Sequence, residues 1–154
     1  MRPVRFPSDA GSLQPDTAEI ALGHSIGSAA IGMKRAAVVR AYVKPKSTRK
    51  ARIGPAKTPA TIDTFAVPGG TLQVTSVANR VVGLETKSPY YTTPAGLGPG
   101  SPRADAARLH GATWTPCERA FRRPGRVVVL LTANRQKVTS VELVRRAFAR
   151  ECAA

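Results

Sequence analysis

Two β-prone runs, Thr61 to Val67 and Thr71 to Val77, flank Pro68-Gly69-Gly70, and a third, Arg80 to Glu85, follows directly after Ala78-Asn79. Short runs rich in Val, Ile, Thr and Phe, cut by residues that reverse the chain within two or three positions, have little freedom except to fold back as antiparallel hairpins. The spacing predicts a three-stranded meander. A sheet of this kind has an apolar face that other elements must cover, so the meander constrains everything around it. Strand-like segments recur around Thr113 to Phe121, Arg126 to Leu131 and Lys137 to Leu143, with a turn at Ala133-Asn134-Arg135 between the last two.

Each series is preceded by a helical pattern. Met33, Ala37, Val38, Ala41 and Tyr42 fall on one helical face, which Pro45 ends. Ser101 is a good N-cap, Pro102 suits a first helical position and Gly111 can close a helix over residues 102–110. Between the first helix and the meander, Lys46 to Pro59 is basic and carries Pro55 and Pro59; it reads as a long loop, the alternative being a ragged edge strand. At the end of the chain, Val141, Val144, Phe148 and Cys152 also share a helical face, so a strand to about Leu143 followed by a helix is expected.

Asn79-Arg80-Val81-Val82-Gly83-Leu84-Glu85 is echoed by Gln136-Lys137-Val138-Thr139-Ser140-Val141-Glu142, and Gly32-Met33 aligns with Gly100-Ser101 ahead of each helix. The expectation is therefore an α+β fold made of two degenerate repeats of a helix followed by an antiparallel β-meander, with the helices packed on the sheet or sheets. The divisions are a mobile N-terminal arm over 1–24, a first repeat over 25–87, a Pro/Gly linker over 88–100, and a second repeat with a C-terminal helix over 101–154.

Charge narrows the function classes. The 154 residues hold 24 Lys and Arg against 9 Asp and Glu, a net +15. No acid occurs between Glu19 and Asp63, where Lys44, Lys46, Arg49, Lys50 and Arg52 concentrate, and a second cluster is Arg119, Arg122, Arg123 and Arg126. Such a field gathers polyanions and speeds their encounter; the plainer reading is a solubilising surface. Cys117 and Cys152 form a single candidate disulfide, closing a loop worth about 3 to 4 kcal/mol in an oxidising compartment, or else two buried thiols. No apolar run of signal-peptide length follows Met1-Arg2-Pro3-Val4-Arg5-Phe6 before Gly32, and no transmembrane segment is expected.

Gly32-Met33, Val38 and Pro45 follow the pattern Gly-Met, a Val five residues after the Met and a Pro seven after that. This resembles the motif that opens the helix in the small outer-membrane-assembly lipoprotein family, and its tandem form resembles secreted β-lactamase-inhibitor-type repeats. Ser88-Pro89-Tyr90-Tyr91-Thr92-Thr93-Pro94 followed by Gly98-Pro99-Gly100-Ser101 is similar to uncharacterised envelope or secreted proteins of bacteria with GC-rich genomes. The resemblance implies an extracytoplasmic, non-catalytic binding or scaffolding role. The sequence departs from the pattern at Val43, where a Gly commonly ends the helix, and it has no lipidated N-terminal Cys.

Enzyme chemistry finds little support in the inventory. The acids are scattered singly, and His24 and His110 lack ligand partners at zinc spacing. Neither a cofactor nor a metal is expected. Cys117 with His110 is a weak thiol constellation, more simply read as a cystine half and a helix-end histidine. Gly98-Pro99-Gly100-Ser101 could present backbone N–H groups to an anion but reads more simply as a capped corner. Tyr90 and Tyr91 are candidates for partner contact, one ring facing the core and its neighbour the solvent. The function expected is a non-enzymatic extracytoplasmic domain whose basic face meets an anionic protein or envelope polymer. The alternative is an intracellular protein binding nucleic acid non-specifically through phosphates, although the poverty of aromatic residues argues against that ligand.

Overall fold

The computed structural model of the protein describes residues 17–114, 119–122 and 126–149, with the backbone alone for 113–114 and 119–122. Three two-residue strands, β1 (Ile20–Ala21), β2 (Ser25–Ile26) and β3 (Ala29–Ala30), make a small antiparallel sheet. Helix α1 (Arg35–Tyr42) leads into β4 (Ser47–Ile53), β5 (Thr58–Val67), β6 (Gly70–Val77) and β7 (Arg80–Thr86). Helix α2 (Asp105–His110) precedes β8 (Thr113–Trp114), β9 (Arg119–Arg122), β10 (Val127–Ala133) and β11 (Val138–Arg145), after which Arg146–Phe148 forms a 3-10 turn. Strands β4 to β11 form one sheet in the order β4-β5-β6-β7-β11-β10-β9-β8, every pair antiparallel.

The molecule is thus mostly β, which corrects the expectation of an α+β fold with two helix-plus-meander repeats. The described residues contain two α-helices, of 8 and 6 residues, too short to form a layer over eight strands. The two similar heptapeptides are neighbouring strands of one continuous sheet instead of parts of separate units: β7 pairs with β11, setting Leu84 opposite Leu143 and Glu85 opposite Glu142. That pairing satisfies the backbone groups of two strands that would otherwise both be edges.

One face of the sheet carries the main core. Phe65, Leu72, Val74, Leu84, Val129, Leu131, Val141 and Leu143 are buried on it. Val38 of α1, Ile20 and Ile26 of the small sheet, Tyr91, Leu97 and Ala106 cover them. Tyr91 and Leu97, inside the segment 88–100 read as a linker, are therefore part of the core. Gly98 shows how closely they pack: a Cβ there would lie 2.1 Å from the Tyr91 carbonyl oxygen, so no other residue fits without moving backbone. Ile20, inside the segment read as an arm, is fully buried and pairs with Ile26.

Three local expectations also change. The basic segment read as a loop is β4 and its hairpin to β5, with Ser47 to Ile53 pairing Thr64 to Thr58. Helix α2 begins at Asp105, because Pro102 bridges Lys137 and the Gly100 and Val138 N–H groups are engaged by Val138 and Ser101 carbonyls. The chain after Leu143 continues as strand to Arg145 and then as a 3-10 turn, since the Arg146 N–H is drawn to the Arg126 carbonyl.

Candidate polyanion-binding edge

Strand β4 is one of the two outer strands of the described sheet, and its charges suit that position: a basic edge strand resists pairing with another chain. Lys44 and Lys46 lie in the connection from α1, and Arg49, Lys50 and Arg52 on the strand; all five are exposed. The first of the two sequence clusters is therefore brought together at one edge. Alternation splits it between the two faces. Lys50 stands opposite Thr61 and donates to its Oγ1 at 3.1 Å, whereas Arg49 stands opposite Ile62. The Arg52 guanidinium donates to the Lys57 carbonyl at 3.3 Å.

The edge is held to the body through Asp63. The Arg35 guanidinium donates to both carboxylate oxygens, Nε at 2.7 Å and a terminal nitrogen at 2.8 Å, and the Thr48 hydroxyl donates at 2.7 Å. Burial alone would push the Asp63 carboxyl up, but the hydrogen bonds from Arg35 and Thr48, with the charges of Arg35 and Lys50, hold it below the usual carboxylate range. Arg35 is held above its ordinary value chiefly by its hydrogen bond to Asp63. This constellation links helix, core strand and edge strand. The ring of Tyr42 stacks at 5.1 Å on Phe65 beside it, and the Tyr42 hydroxyl accepts the Ser28 N–H.

The second basic cluster comes back toward the end of the first, because Ala147 and Phe148 pack against Gly54 just beyond β4. Arg126 directly precedes β10, five strands from β4 in the sheet order, but a Cβ on Gly54 would lie only 3.1 Å from the Ala147 carbonyl oxygen. Arg126 lines a depression of about 440 Å³ with Arg145, Arg146 and Ala147. Arg145 and Arg146 were missed from sequence because that stretch carried a helical apolar period; the adjacent basic pair was the available signal. Arg119 and Arg122 fall on β9, opposite Thr132 and Val129. Arg123, Cys117 and Cys152 lie outside the described residues.

Tyr91 is fully buried, while Tyr90 is exposed and meets it edge-on at 5.1 Å. The Gly98 and Gly100 N–H groups are engaged by Ser101 Oγ and the Val138 carbonyl, so the corner offers neither to an anion. His110 contacts Thr93 Oγ1 at 2.9 Å. On the sheet's second face a groove of about 200 Å³ crosses β5, β6, β7 and β11 between Ile53 and Phe148. Its floor holds Gln73, Glu85 and Glu142 on a single rung. Acids scattered in sequence are thus paired in space, and the signal was the alignment of the two heptapeptides, each ending in Glu. Among the described residues no group of three or more His, Cys, Asp or Glu could hold a metal, and no helix is long and apolar enough to cross a membrane.

No protein-family model and no curated protein sequence matches the chain. Its fold is similar to two solved bacterial structures. An extracellular protein containing a SCP domain from Bacillus anthracis str. Ames superposes with a TM-score of 0.64 at 8% identity, over 92% of this chain and 51% of that one. A cysteine-rich secretory protein from Staphylococcus aureus subsp. aureus Mu50 gives a TM-score of 0.59 at 10% identity, over 75% of this chain and 44% of that one. The chain thus spans about half the length of the proteins whose fold it shares.

Proposed function

We propose that the protein is a non-enzymatic binding domain of the extracytoplasmic space, whose basic sheet edge engages an anionic envelope polymer. The observation that carries this reading is the convergence of Lys44, Lys46, Arg49, Lys50 and Arg52 on one exposed edge. A row of cations on a rigid strand matches a chain of repeating negative charges, and affinity of this kind arises from counterion release and falls steeply with salt. The names of the two structural neighbours, one extracellular and one secretory, support the compartment. An acidic protein is a weaker fit, because protein interfaces are anchored by buried aromatic or Arg side chains, whereas the exposed large apolar side chains described are Val43 and Tyr90. Nucleic acid fits less well for want of stacking rings near the edge.

The test is a titration with poly(glycerol phosphate) at low and high salt, with a DNA duplex and an acidic protein as competitors. Saturable binding that weakens steeply with salt, and is lost in the triple variant Lys44→Glu, Arg49→Glu, Arg52→Glu, is the expected result. Absence of low-salt binding, or tighter binding to DNA than to the polymer, overturns the reading.

A further inference from the structure

Ser76 on β6 is buried, and its hydroxyl has no hydrogen-bond partner among the described residues. Buried polar groups are nearly always satisfied, so one that is not calls for an occupant. Thr61 lies directly opposite Ser76 across β5–β6, and Lys50 directly opposite Thr61 across β4–β5. Residues so paired project from the same side of a sheet, which sets two hydroxyls and an ammonium in one row. Together with Pro59, Ala60 and the Ala78–Asn79 turn they line a cleft of about 160 Å³. Both turn residues have positive φ, 50° and 65°, the mark of a tight two-residue hairpin, which gives the cleft a fixed wall.

The neighbouring charge is already neutralised. Asp63, two residues along β5 from Thr61 on the same face, is bound by both arms of Arg35 and by Thr48, so Lys50 is left donating to Thr61 Oγ1. That bond leaves the Thr61 hydroxyl proton available, and Ser76 has one as well.

We infer that this cleft is a small-oxyanion site for a phosphate or phosphodiester group, with Lys50 supplying charge and the Thr61 and Ser76 hydroxyls donating to its oxygens. The inference deepens the polymer-binding reading on which it rests, since it names the chemical group that the edge would hold.

Inorganic phosphate at constant ionic strength, with chloride as the balancing anion, is the first probe. Amide shifts of Lys50, Thr61 and Ser76 followed by NMR are expected to saturate with phosphate. Ser76→Ala should weaken that binding about tenfold, the value of one hydrogen bond to a charged group, without loss of thermal stability. Lys50→Met should abolish it. Shifts that fail to saturate, or a Ser76→Ala protein that binds phosphate as the wild type does, overturn the site. A Ser76→Ala protein that melts clearly lower does so too, because the hydroxyl then has a structural partner. The two proposals fail separately. If poly(glycerol phosphate) binds the wild type and Ser76→Ala equally, the edge reading stands and the cleft falls; if phosphate binds and the polymer does not, the reverse holds.

Discussion

Arg35 and Asp63 join α1 to β5 through two parallel hydrogen bonds of 2.7 and 2.8 Å, with the carboxylate buried and the guanidinium about one-third exposed. The pair also receives Thr48 from the edge strand, so one carboxylate fixes three elements at once. Removing one partner leaves the other without compensation, which costs more than the pair contributes. Asp63→Ala is expected to destabilise by about 3 kcal/mol, near the lower end for buried pairs because Arg35 remains in contact with water. Urea denaturation of Arg35→Ala, Asp63→Ala and the double variant measures the coupling; additive effects would refute it.

The same pair sets a pH dependence. Asp63 is held below the ordinary carboxylate range in the folded protein, so the unfolded chain takes up its proton first as pH falls. Its contribution is complete above the unfolded carboxylate range and is lost as pH falls through the depressed folded value. Melting temperature should decline on acidification below about pH 4.5, and decline less in Asp63→Asn. Identical acid profiles for the two proteins would contradict this.

Val43 ends α1 with φ 75° and ψ −65°, and the Lys44 N–H bonds the Tyr42 carbonyl at 3.0 Å across it. This is a γ-turn of the strained hand, unusual for any side chain and worse for a β-branched one. The Val43 side chain is 80% exposed and gains no compensating burial. Val43→Gly should therefore raise stability by about 1 kcal/mol, the relief of strain exceeding the extra flexibility of the unfolded chain. A lower melting temperature for Val43→Gly would refute the assignment.

Gly98→Ala tests the opposite case. Its Cβ would meet a backbone oxygen at 2.1 Å, and neither segment can yield without disturbing Tyr91 and Leu97 in the core. A loss of about 3 kcal/mol or more is expected, whereas Gly96→Ala, where a Cβ meets open space but φ is 98°, should cost less. Comparable melting temperatures for the two variants would count against this packing.

How much was legible follows from where the information sits. Strands β5, β6 and β7 could be read because local turn residues alone fix the hairpins, at Pro68-Gly69 and Ala78-Asn79. Joining the halves through β7 and β11 depends on pairing residues such as Leu84 and Leu143, far apart in sequence, and hydrophobic period does not specify it. Strand β4 was misjudged because its Arg and Lys residues lower β propensity while serving as edge protection. Of the candidate site, the charges were visible in sequence, but their arrangement was not: Arg126, Arg145 and Arg146 line a depression whose Ala147 packs against Gly54 at the β4–β5 turn. Ser76 carried no sequence signal, since only its burial opposite Thr61 distinguishes it.

That proximity yields a prediction about coupling. Ala147, which lines the depression with Arg126, Arg145 and Arg146, packs against Gly54, two residues beyond Arg52, so the two clusters present neighbouring basic surfaces to one ligand. Losses from residues that share a partner do not add. Arg49→Glu, Arg52→Glu combined with Arg145→Glu, Arg146→Glu should therefore cost less binding free energy than the sum of the two double variants, as measured by titration with poly(glycerol phosphate). Additive losses would mean that the two clusters bind independently.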